Sequence, residues 1–424
     1  MIYVVQPGDS LDRIARQYGV SQARLRSDNG LQPDQPLVPG QALVVLIPQQ
    51  THTVQPGETL YGIAGGAGLT VGQLLRCNPT LTLDQPLFPG QVLTLRLQGE
   101  PEMTLGIGGY AYPYVEQRVL ERTLPFLSDL FSFSYGFQED GTLVRPPDQE
   151  LLALGRAYGA EGMLVLASLD ENQSFSSHHI SRFLREEALQ EKVLAQLLPI
   201  LLDQKCRGLD VDFEYIPPED GPAFLAFLGR ARDLLHAHGL VLYAALAPKT
   251  SAGQSGLLYE AHDYAAVGAI ADGVLLMTYE WGYSYGPPMA VAPYPQVQQV
   301  LAYAVTEIPP WKIRMGLPTY GYDWTLPYDP SRRATVVGSQ QAVLLAAQTG
   351  AEIHFDQEAQ TPTFRYFRGG EEHRVWFEDA RSLLAKLRLA HRFGLEGATY
   401  WNLMRPFAQN WAMLSQYVRV RRGD

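Results

Sequence analysis

The hydrophobic and polar positions of the first hundred residues follow one pattern twice. Residues 3–11 (YVVQPGDSL) match residues 52–60 (HTVQPGETL), and residues 34–41 (DQPLVPGQ) match residues 84–91 (DQPLFPGQ). A repeat of this kind divides a chain into similar modules before any element is assigned. The front of the chain is therefore expected to hold two copies of one small fold.

The same pattern predicts the elements of each copy. An alternating apolar strand runs into Pro-Gly, and the following Asp-Ser or Glu-Thr is a signal for the start of a helix. A second short helix follows, and an apolar strand at 42–47 or 92–97 closes the copy. We expect two βααβ modules, at residues 1–48 and 51–98, with a short linker between them.

From about residue 103 onward, short apolar segments alternate with segments of helical periodicity, for example 186–202, 221–238 and 377–393. Eight βα units in roughly 320 residues predict an α/β fold, a (β/α)8 TIM barrel, over residues 102–424. Between the seventh and eighth strands, β-like runs predict a small α+β insertion at about 325–375. The predicted strands begin at or near Thr104, Asp129, Gly162, Gly208, Val241, Gly273, Ile313 and Gly397.

The fourth predicted strand alternates acidic and apolar residues. Side chains alternate along a strand, so Asp210, Asp212 and Glu214 would face the barrel axis while the apolar residues between them face the helices. Poor solvation and like charges raise the pKa of at least one such carboxyl group. Glu214 would lie at the C-terminal mouth, where barrel enzymes keep their active sites, and a raised pKa suits a general acid. The alternative is a solvated acidic loop, which the apolar partners disfavour.

Composition excludes several partners. The net charge of −11 argues against nucleic acids and anionic membranes. No apolar run reaches the roughly 20 residues that span a bilayer, and the N-terminus shows no secretory signal. Cys77 and Cys206 lie far apart and predict two buried thiols rather than a disulfide or a zinc site. Neither a metal nor a cofactor is expected.

The acidic strand resembles the motif Asp-Gly-x-Asp-x-Asp-x-Glu of glycoside hydrolase family 18, which Gly208, Asp210, Asp212 and Glu214 match. Arg207 occupies the position of the first Asp of the motif. This departure leaves open how the pKa values of the remaining acids on the strand are set. The resemblance implies retaining, substrate-assisted hydrolysis, in which the 2-acetamido oxygen of the sugar attacks the anomeric carbon. Asp212 would orient the acetamido group, and Glu214 would protonate the leaving oxygen.

Other parts of the site are also implied by this resemblance. The family carries Met-x-Tyr on strand six, here Met277 and Tyr279, and Tyr279 would hydrogen-bond the acetamido carbonyl. Glu280 follows where the family commonly has Asp. A Trp on strand eight floors the sugar site, here Trp401. Two further aromatic residues that could line the cleft are Tyr110 and Trp281.

The two front modules resemble LysM modules, which bind glycans that contain N-acetylglucosamine. The implied binding surface is the groove between the loop after the first strand and the loop after the second helix. The alternative for each residue is that Pro-Gly and Asn only shape turns. Two modules on one short linker would add avidity on a repeating polymer. The candidate glycan-binding residues are Gly8, Asp9, Ser10, Leu11 and Asn29 in the first module and Gly57, Glu58, Thr59, Leu60 and Asn78 in the second.

The two front modules, residues 211–220 (VDFEYIPPED) and residues 373–381 (HRVWFEDAR) together are similar to a narrower group, the spore cortex-lytic N-acetylglucosaminidases of the SleL or YaaH type. The resemblance implies a peptidoglycan hydrolase, expected as a monomer at the coat–cortex boundary of a bacterial spore. A chitinase and a non-catalytic glycan-binding coat protein are the alternatives. The sequence leaves open whether cleavage is internal or terminal and whether muramic δ-lactam is required.

Overall fold

The computed structural model describes residues 1–168 and 176–422. Each front module consists of two helices and an antiparallel strand pair. The linker expected at 48–51 is not separate from the second module, because it forms the first half of that module's opening strand. The elements of the two modules are Ile2–Val4, Leu11–Tyr18, Gln22–Asp28 and Ala42–Val44, then Pro48–Thr53, Leu60–Gly66, Val71–Cys77 and Val92–Leu97.

The predicted (β/α)8 barrel is confirmed. Each barrel strand pairs in parallel with its neighbours, and the first strand pairs with both the second and the eighth, which closes the sheet. Strand residues that face outward are apolar and pack under the surrounding helices. Among the described residues, the barrel strands in order are Met103–Ala111, Asp129–Phe137, Glu161–Ala167, Gly208–Asp212, Val241–Leu246, Gly273–Leu276, Ile313–Pro318 and Gly397–Trp401.

The helices of the barrel domain cover its outer surface. A short C-terminal strand, Val418–Val420, pairs with the first barrel strand at its N-terminal end. The α-helices that surround the barrel are Gln117–Thr123, Gln149–Ala157, Ser177–Arg185, Glu187–Asp203, Gly221–His236, Tyr264–Ile270, Tyr294–Glu307, Ala380–Arg392 and Ala408–Tyr417. No helix of the described chain is long and apolar enough to cross a membrane.

An insertion of one sheet and one helix separates the seventh and eighth barrel strands. Its strands pair antiparallel in the order second, first, fifth, fourth, third. The first strand leaves the C-terminal end of the seventh barrel strand, which places the sheet beside the barrel mouth. The elements are Tyr320–Leu326, Thr335–Gly338, the helix Ser339–Thr349, His354–Asp356, Thr361–Arg368 and Glu371–Trp376.

Both front modules pack against the barrel domain. Arg76 of the second module donates to the carbonyl of Pro125, and Ser415 of the last helix donates to the carbonyl of Arg76. The first module contacts the insertion, where the Ile353 amide donates to the Pro39 carbonyl at 3.0 Å. The modules and the barrel are therefore joined by direct contacts as well as by the chain.

Candidate active site

The acidic residues of the fourth strand face the barrel interior as the alternation predicts. Asp210 and Asp212 are buried, and Glu214 follows two residues after the strand ends, half-buried at the C-terminal mouth. The intervening apolar side chains belong to the core between strand and helices. The period of two in the sequence therefore becomes a file of three carboxyl groups along the barrel axis.

These carboxyl groups have few partners. Tyr110 donates to Asp210 at 2.5 Å. The other oxygen of Asp210 and one oxygen of Asp212 are buried without a hydrogen-bond partner among the described residues. Burial of these oxygen atoms disfavours the ionised form of both carboxyl groups.

Burial shifts the pKa of all three carboxyl groups upward. Desolvation raises the pKa of Asp210 to about 7, against the lowering effects of the Tyr110 hydrogen bond and of Arg314. Desolvation, with Glu214 and Asp210 as neighbouring charges, raises the pKa of Asp212 well above its ordinary value. Desolvation and then the charge of Glu280 raise the pKa of Glu214 to about 7. The file can therefore hold and release protons near neutral pH.

A cleft of about 1310 Å³ opens above these carboxyl groups. Asp212, Glu214 and Tyr279 line it together, while Asp210 lies beneath, behind Tyr110. Burial and the nearby carboxylates raise the pKa of Tyr279 well above its ordinary value, which keeps its hydroxyl group protonated as a donor. The structure thus brings the acids and the tyrosine of the predicted site to one surface.

Trp401 forms an aromatic wall of the cleft. Its ring packs edge-on against Phe133 at 4.8 Å and against Tyr110 at 5.5 Å between ring centroids. Met277 and Trp281 also line the cleft, so these two predicted substrate-binding residues lie at the same surface. Aromatic rings that line a cleft offer a surface on which the apolar face of a sugar can stack.

Glu280 lines the cleft and also contacts the insertion. Its carboxylate accepts hydrogen bonds from Tyr320 and Tyr322, both on the first strand of the insertion. It therefore joins the end of the sixth barrel strand to the insertion. Its charge also reaches Glu214, whose pKa it helps to raise.

Arg207 does not lie in the carboxyl file. It pairs with Asp129 at 2.7 Å and with Glu161 at 3.4 Å. The fully buried Arg314 contacts the same Asp129 at 2.6 Å and pairs with Glu396. The N-terminal end of the barrel thus holds paired charges, whereas the mouth holds unpaired acids. Arg207 neutralises this paired cluster, which is a stabilising role away from the mouth.

The glycines of the first barrel strand make room for side chains of the protein. They do not open space for a ligand at residues 106–109, because protein atoms occupy the positions that side chains would fill. A Cβ at Gly106 would lie 2.2 Å from Glu396, and one at Gly109 would lie 2.7 Å from Leu403. The missing side chains let the charge cluster and the residues after strand eight close on the first strand.

The predicted glycan-binding residues of the modules mostly stabilise the modules themselves. Ser10 and Thr59 cap the first helices, accepting from the amides of Arg13 and Gly62. Asp9 accepts hydrogen bonds from Tyr3 and Gln6, and Glu58 accepts them from His52 and Gln55. Leu11 and Leu60 are core residues, whereas Gly8 and Gly57 are exposed turn residues at positive φ.

Asn29 and Asn78 are buried and have the same internal role. Each side-chain amide donates to a carbonyl of the second helix and to one of the closing strand, and its oxygen accepts from an amide of that strand. Glycan contact at these loops stays a prediction. We expect the backbone and neighbouring residues, rather than these two side chains, to make it.

Sequence reasoning missed several aromatic residues of the cleft. Tyr112 and Tyr114 stack at 5.2 Å at the end of the first barrel strand, and Phe133 and Tyr320 line the same surface. The spacing Tyr-x-Tyr-x-Tyr from residue 110 is the signal that could have indicated the first two. The described residues contain no cluster of three or more potential metal ligands, and Cys77 and Cys206 are both free, with Cys77 partly exposed.

Comparisons with known proteins agree with this geometry. The profile of Glycosyl hydrolases family 18 matches residues 161–405, and the LysM domain profile matches residues 3–46 and 52–96. The chain is 41% identical over 427 residues to the "Cortical fragment-lytic enzyme" of Bacillus subtilis (strain 168), with 99% of this chain and 98% of the relative covered.

Solved structures give the same result. The Bacillus cereus spore cortex-lytic enzyme SleL superposes with a TM-score of 0.83 at 36% identity, covering 100% of this chain and 99% of the other. A chitinase from Chromobacterium violaceum superposes with a TM-score of 0.66 at 26% identity, covering 74% of this chain and 98% of the other. The chain belongs to the glycosyl hydrolases family 18, and this glycosidase carries two LysM domains in front of its barrel.

Proposed function

We propose that this protein is a retaining N-acetyl-β-glucosaminidase that hydrolyses spore cortex peptidoglycan by substrate-assisted catalysis. The observation that carries the proposal is the pair of Asp212 and Glu214 beneath an open cleft, with no ion-pair partner among the described residues, together with Tyr279 and Trp401. The cortex-lytic relatives support the substrate, because they align with nearly the whole chain.

The first chemical step forms a bond within the substrate. The acetamido carbonyl oxygen attacks the anomeric carbon, while Glu214 donates its proton to the glycosidic oxygen and the leaving sugar departs. Asp212 accepts the acetamido N–H, and Tyr279 donates to the acetamido oxygen, so the group is held for attack. Trp401 supports the apolar face of the same sugar.

In the second step the ionised Glu214 takes a proton from water, and that water attacks the anomeric carbon from the face that the leaving group left. The acetamido group is released, and the configuration is retained after two inversions. Asp210, which accepts a hydrogen bond from Tyr110, lies beneath Asp212, and its charge raises the pKa of Asp212.

The LysM domains are proposed to hold the enzyme on the glycan while the barrel cuts it. The proposed location is the coat–cortex boundary of a spore, because the relatives are spore enzymes of Bacillus. We expect no nucleic-acid or membrane partner and a monomer in solution.

Exchange of Glu214→Gln tests the proton donor. The amide cannot donate a proton as an acid does, so the rate of reducing-end release from cortex fragments should fall by about a hundredfold or more. Glu219→Gln is the matched control, since Glu219 is an exposed acid just beyond the site. Wild-type turnover by the Glu214→Gln variant would show that another group is the acid.

The pH profile tests the same assignment independently. A general acid works in its protonated form, so kcat/KM should fall as pH rises through the pKa of Glu214, which is about 7. Glu280→Gln removes a neighbouring negative charge and should move this alkaline limb to lower pH. A limb that does not move would contradict the coupling between the two carboxyl groups.

Product analysis decides the substrate. Mass spectrometry of cortex fragments should show new reducing N-acetylglucosamine ends, with slower cleavage of chitin oligomers. Faster cleavage of chitin oligomers would make the protein a chitinase, which its likeness to the Chromobacterium chitinase would then explain. Binding without cleavage of either polymer would make it a glycan-binding coat protein.

A further inference from the structure

The cleft has an uneven distribution of charge. Asp212, Glu214 and Glu280 line it as acids, and Arg145 is the one cationic side chain among the described residues that line it. With a net charge of −11, the protein repels anionic ligands in general. A single cation in such a cleft marks the place where an anionic group of a ligand is accepted.

The backbone at Arg145 is held from both sides. Before it, the strand Leu143–Val144 pairs with the end of the second barrel strand, at Gly136 and Phe137. After it, two prolines lead to the buried Asp148, which accepts hydrogen bonds from Ser132 and Tyr135. The Cα of Arg145 is therefore fixed relative to the barrel, which limits where its guanidinium group can reach.

Arg145 is exposed, and its side chain has neither a hydrogen bond nor an ion pair among the described residues. Nearby cations differ in this respect. Arg182 pairs with Glu139 and Glu186, and Lys192 pairs with Asp140. Arg145 alone of these three has its five donors available, in the planar arrangement that matches a carboxylate.

We propose that Arg145 is a specificity-determining residue that binds a carboxylate carried by the substrate glycan. This inference rests on the proposed function. In peptidoglycan the carboxylate is either the lactyl group of muramic acid or an acid of the stem peptide, whereas chitin has neither. The single cation would thus favour the acidic glycan over the neutral one in a cleft whose other charges are acids.

Binding measured by calorimetry in the Glu214→Gln protein tests the inference apart from turnover. Three ligands are used: a disaccharide–peptide from peptidoglycan, the same disaccharide without peptide, and a chitin oligomer of equal length. Arg145→Gln should weaken binding of the ligand whose carboxylate it contacts about tenfold at low salt and leave the chitin oligomer unchanged. Arg145→Lys should keep part of the preference, since it keeps the charge but not the fork.

The pattern of losses identifies the carboxylate. Loss only on the peptide-free disaccharide assigns the lactyl carboxylate, because in the disaccharide–peptide that carboxyl group is bound as the amide to the peptide. Loss only on the disaccharide–peptide assigns an acid of the stem peptide, and loss on both means that Arg145 accepts either carboxylate. Arg182→Gln is the control, because it removes an equal charge outside the cleft. Equal binding of acidic and neutral ligands by the parent protein, or equal loss on all three ligands, would overturn the inference. The turnover of wild-type protein on cortex fragments separately decides the proposed function.

Discussion

The two LysM domains share a sequence pattern but present different surfaces. Val38 of the first domain is 3% exposed in a cluster with residues of the insertion, whereas its counterpart Phe88 in the second is 62% exposed. A Cβ at Gly40 would lie 1.8 Å from the carbonyl oxygen of Ile353, whereas a Cβ at the equivalent Gly90 would meet nothing within 4 Å.

In the first domain the covered surface also includes the loop after the second helix. Gln409 of the last barrel helix donates to the Ala42 carbonyl and contacts the Asn29 side chain, and Gln340 lies against Gly30. In the second domain Phe88 and its turn face solvent. The turn that carries Val38 and Gly40 is thus covered in the first domain, whereas the equivalent turn with Phe88 and Gly90 is exposed in the second. Sequence similarity between repeats does not give them equal roles.

The largest difference is expected for Gly40→Ala against Gly90→Ala. Both glycines have positive φ, so both variants carry a strain of about 1–2 kcal/mol. Only Gly40 meets a backbone carbonyl, so its variant should lose about 2–3 kcal/mol more in free energy of unfolding. Urea unfolding followed by Trp fluorescence measures both. Equal losses would mean that the contact between the first domain and the insertion does not persist in solution.

The repeat was predictable, but the docking was not. The repeated sequence blocks and the helix-start signals indicate which residues form the core of each module. The helix caps at Ser10 and Thr59 could be predicted from the same signals. The burial of Val38 depends on Ile353 and its neighbours, which no local pattern connects to the first module. Contacts between distant segments need the assembled fold.

The same limit applies to the charges of the barrel. Asp212 and Glu214 could be predicted because a period of two on one strand fixes their common side. Asp129, Arg314 and Glu396 lie on or beside different strands, and only closure of the barrel brings them together. A single charged residue in an apolar strand, such as Arg314, indicates that a buried ion pair exists. It does not indicate which acidic residue is the partner.

A smaller difference is expected for Val38→Ala against Phe88→Ala. Removing two buried methyl groups from Val38 should cost about 2 kcal/mol in free energy of unfolding, through lost burial and a cavity. Truncating the exposed Phe88 should change it by less than about 0.5 kcal/mol. Urea unfolding again measures both variants. A cost at Phe88 as large as at Val38 would show that the second domain is also covered.

The smallest effect concerns glycan binding, where the comparison should reverse. Phe88 is an exposed aromatic residue in the connection between the second helix and the closing strand. If it contacts the glycan, Phe88→Ala should weaken binding to insoluble peptidoglycan about two- to fivefold, the size of one lost aromatic contact. Phe367→Ala is the control, because Phe367 is 72% exposed on the insertion. Val38→Ala should leave binding unchanged, since that position is already covered. Sedimentation with the polymer, carried out in the Glu214→Gln protein, measures the bound fraction without digestion. If Val38→Ala weakens binding and Phe88→Ala does not, the first domain must leave the insertion to capture the glycan, and the assignment of roles to the two domains is reversed.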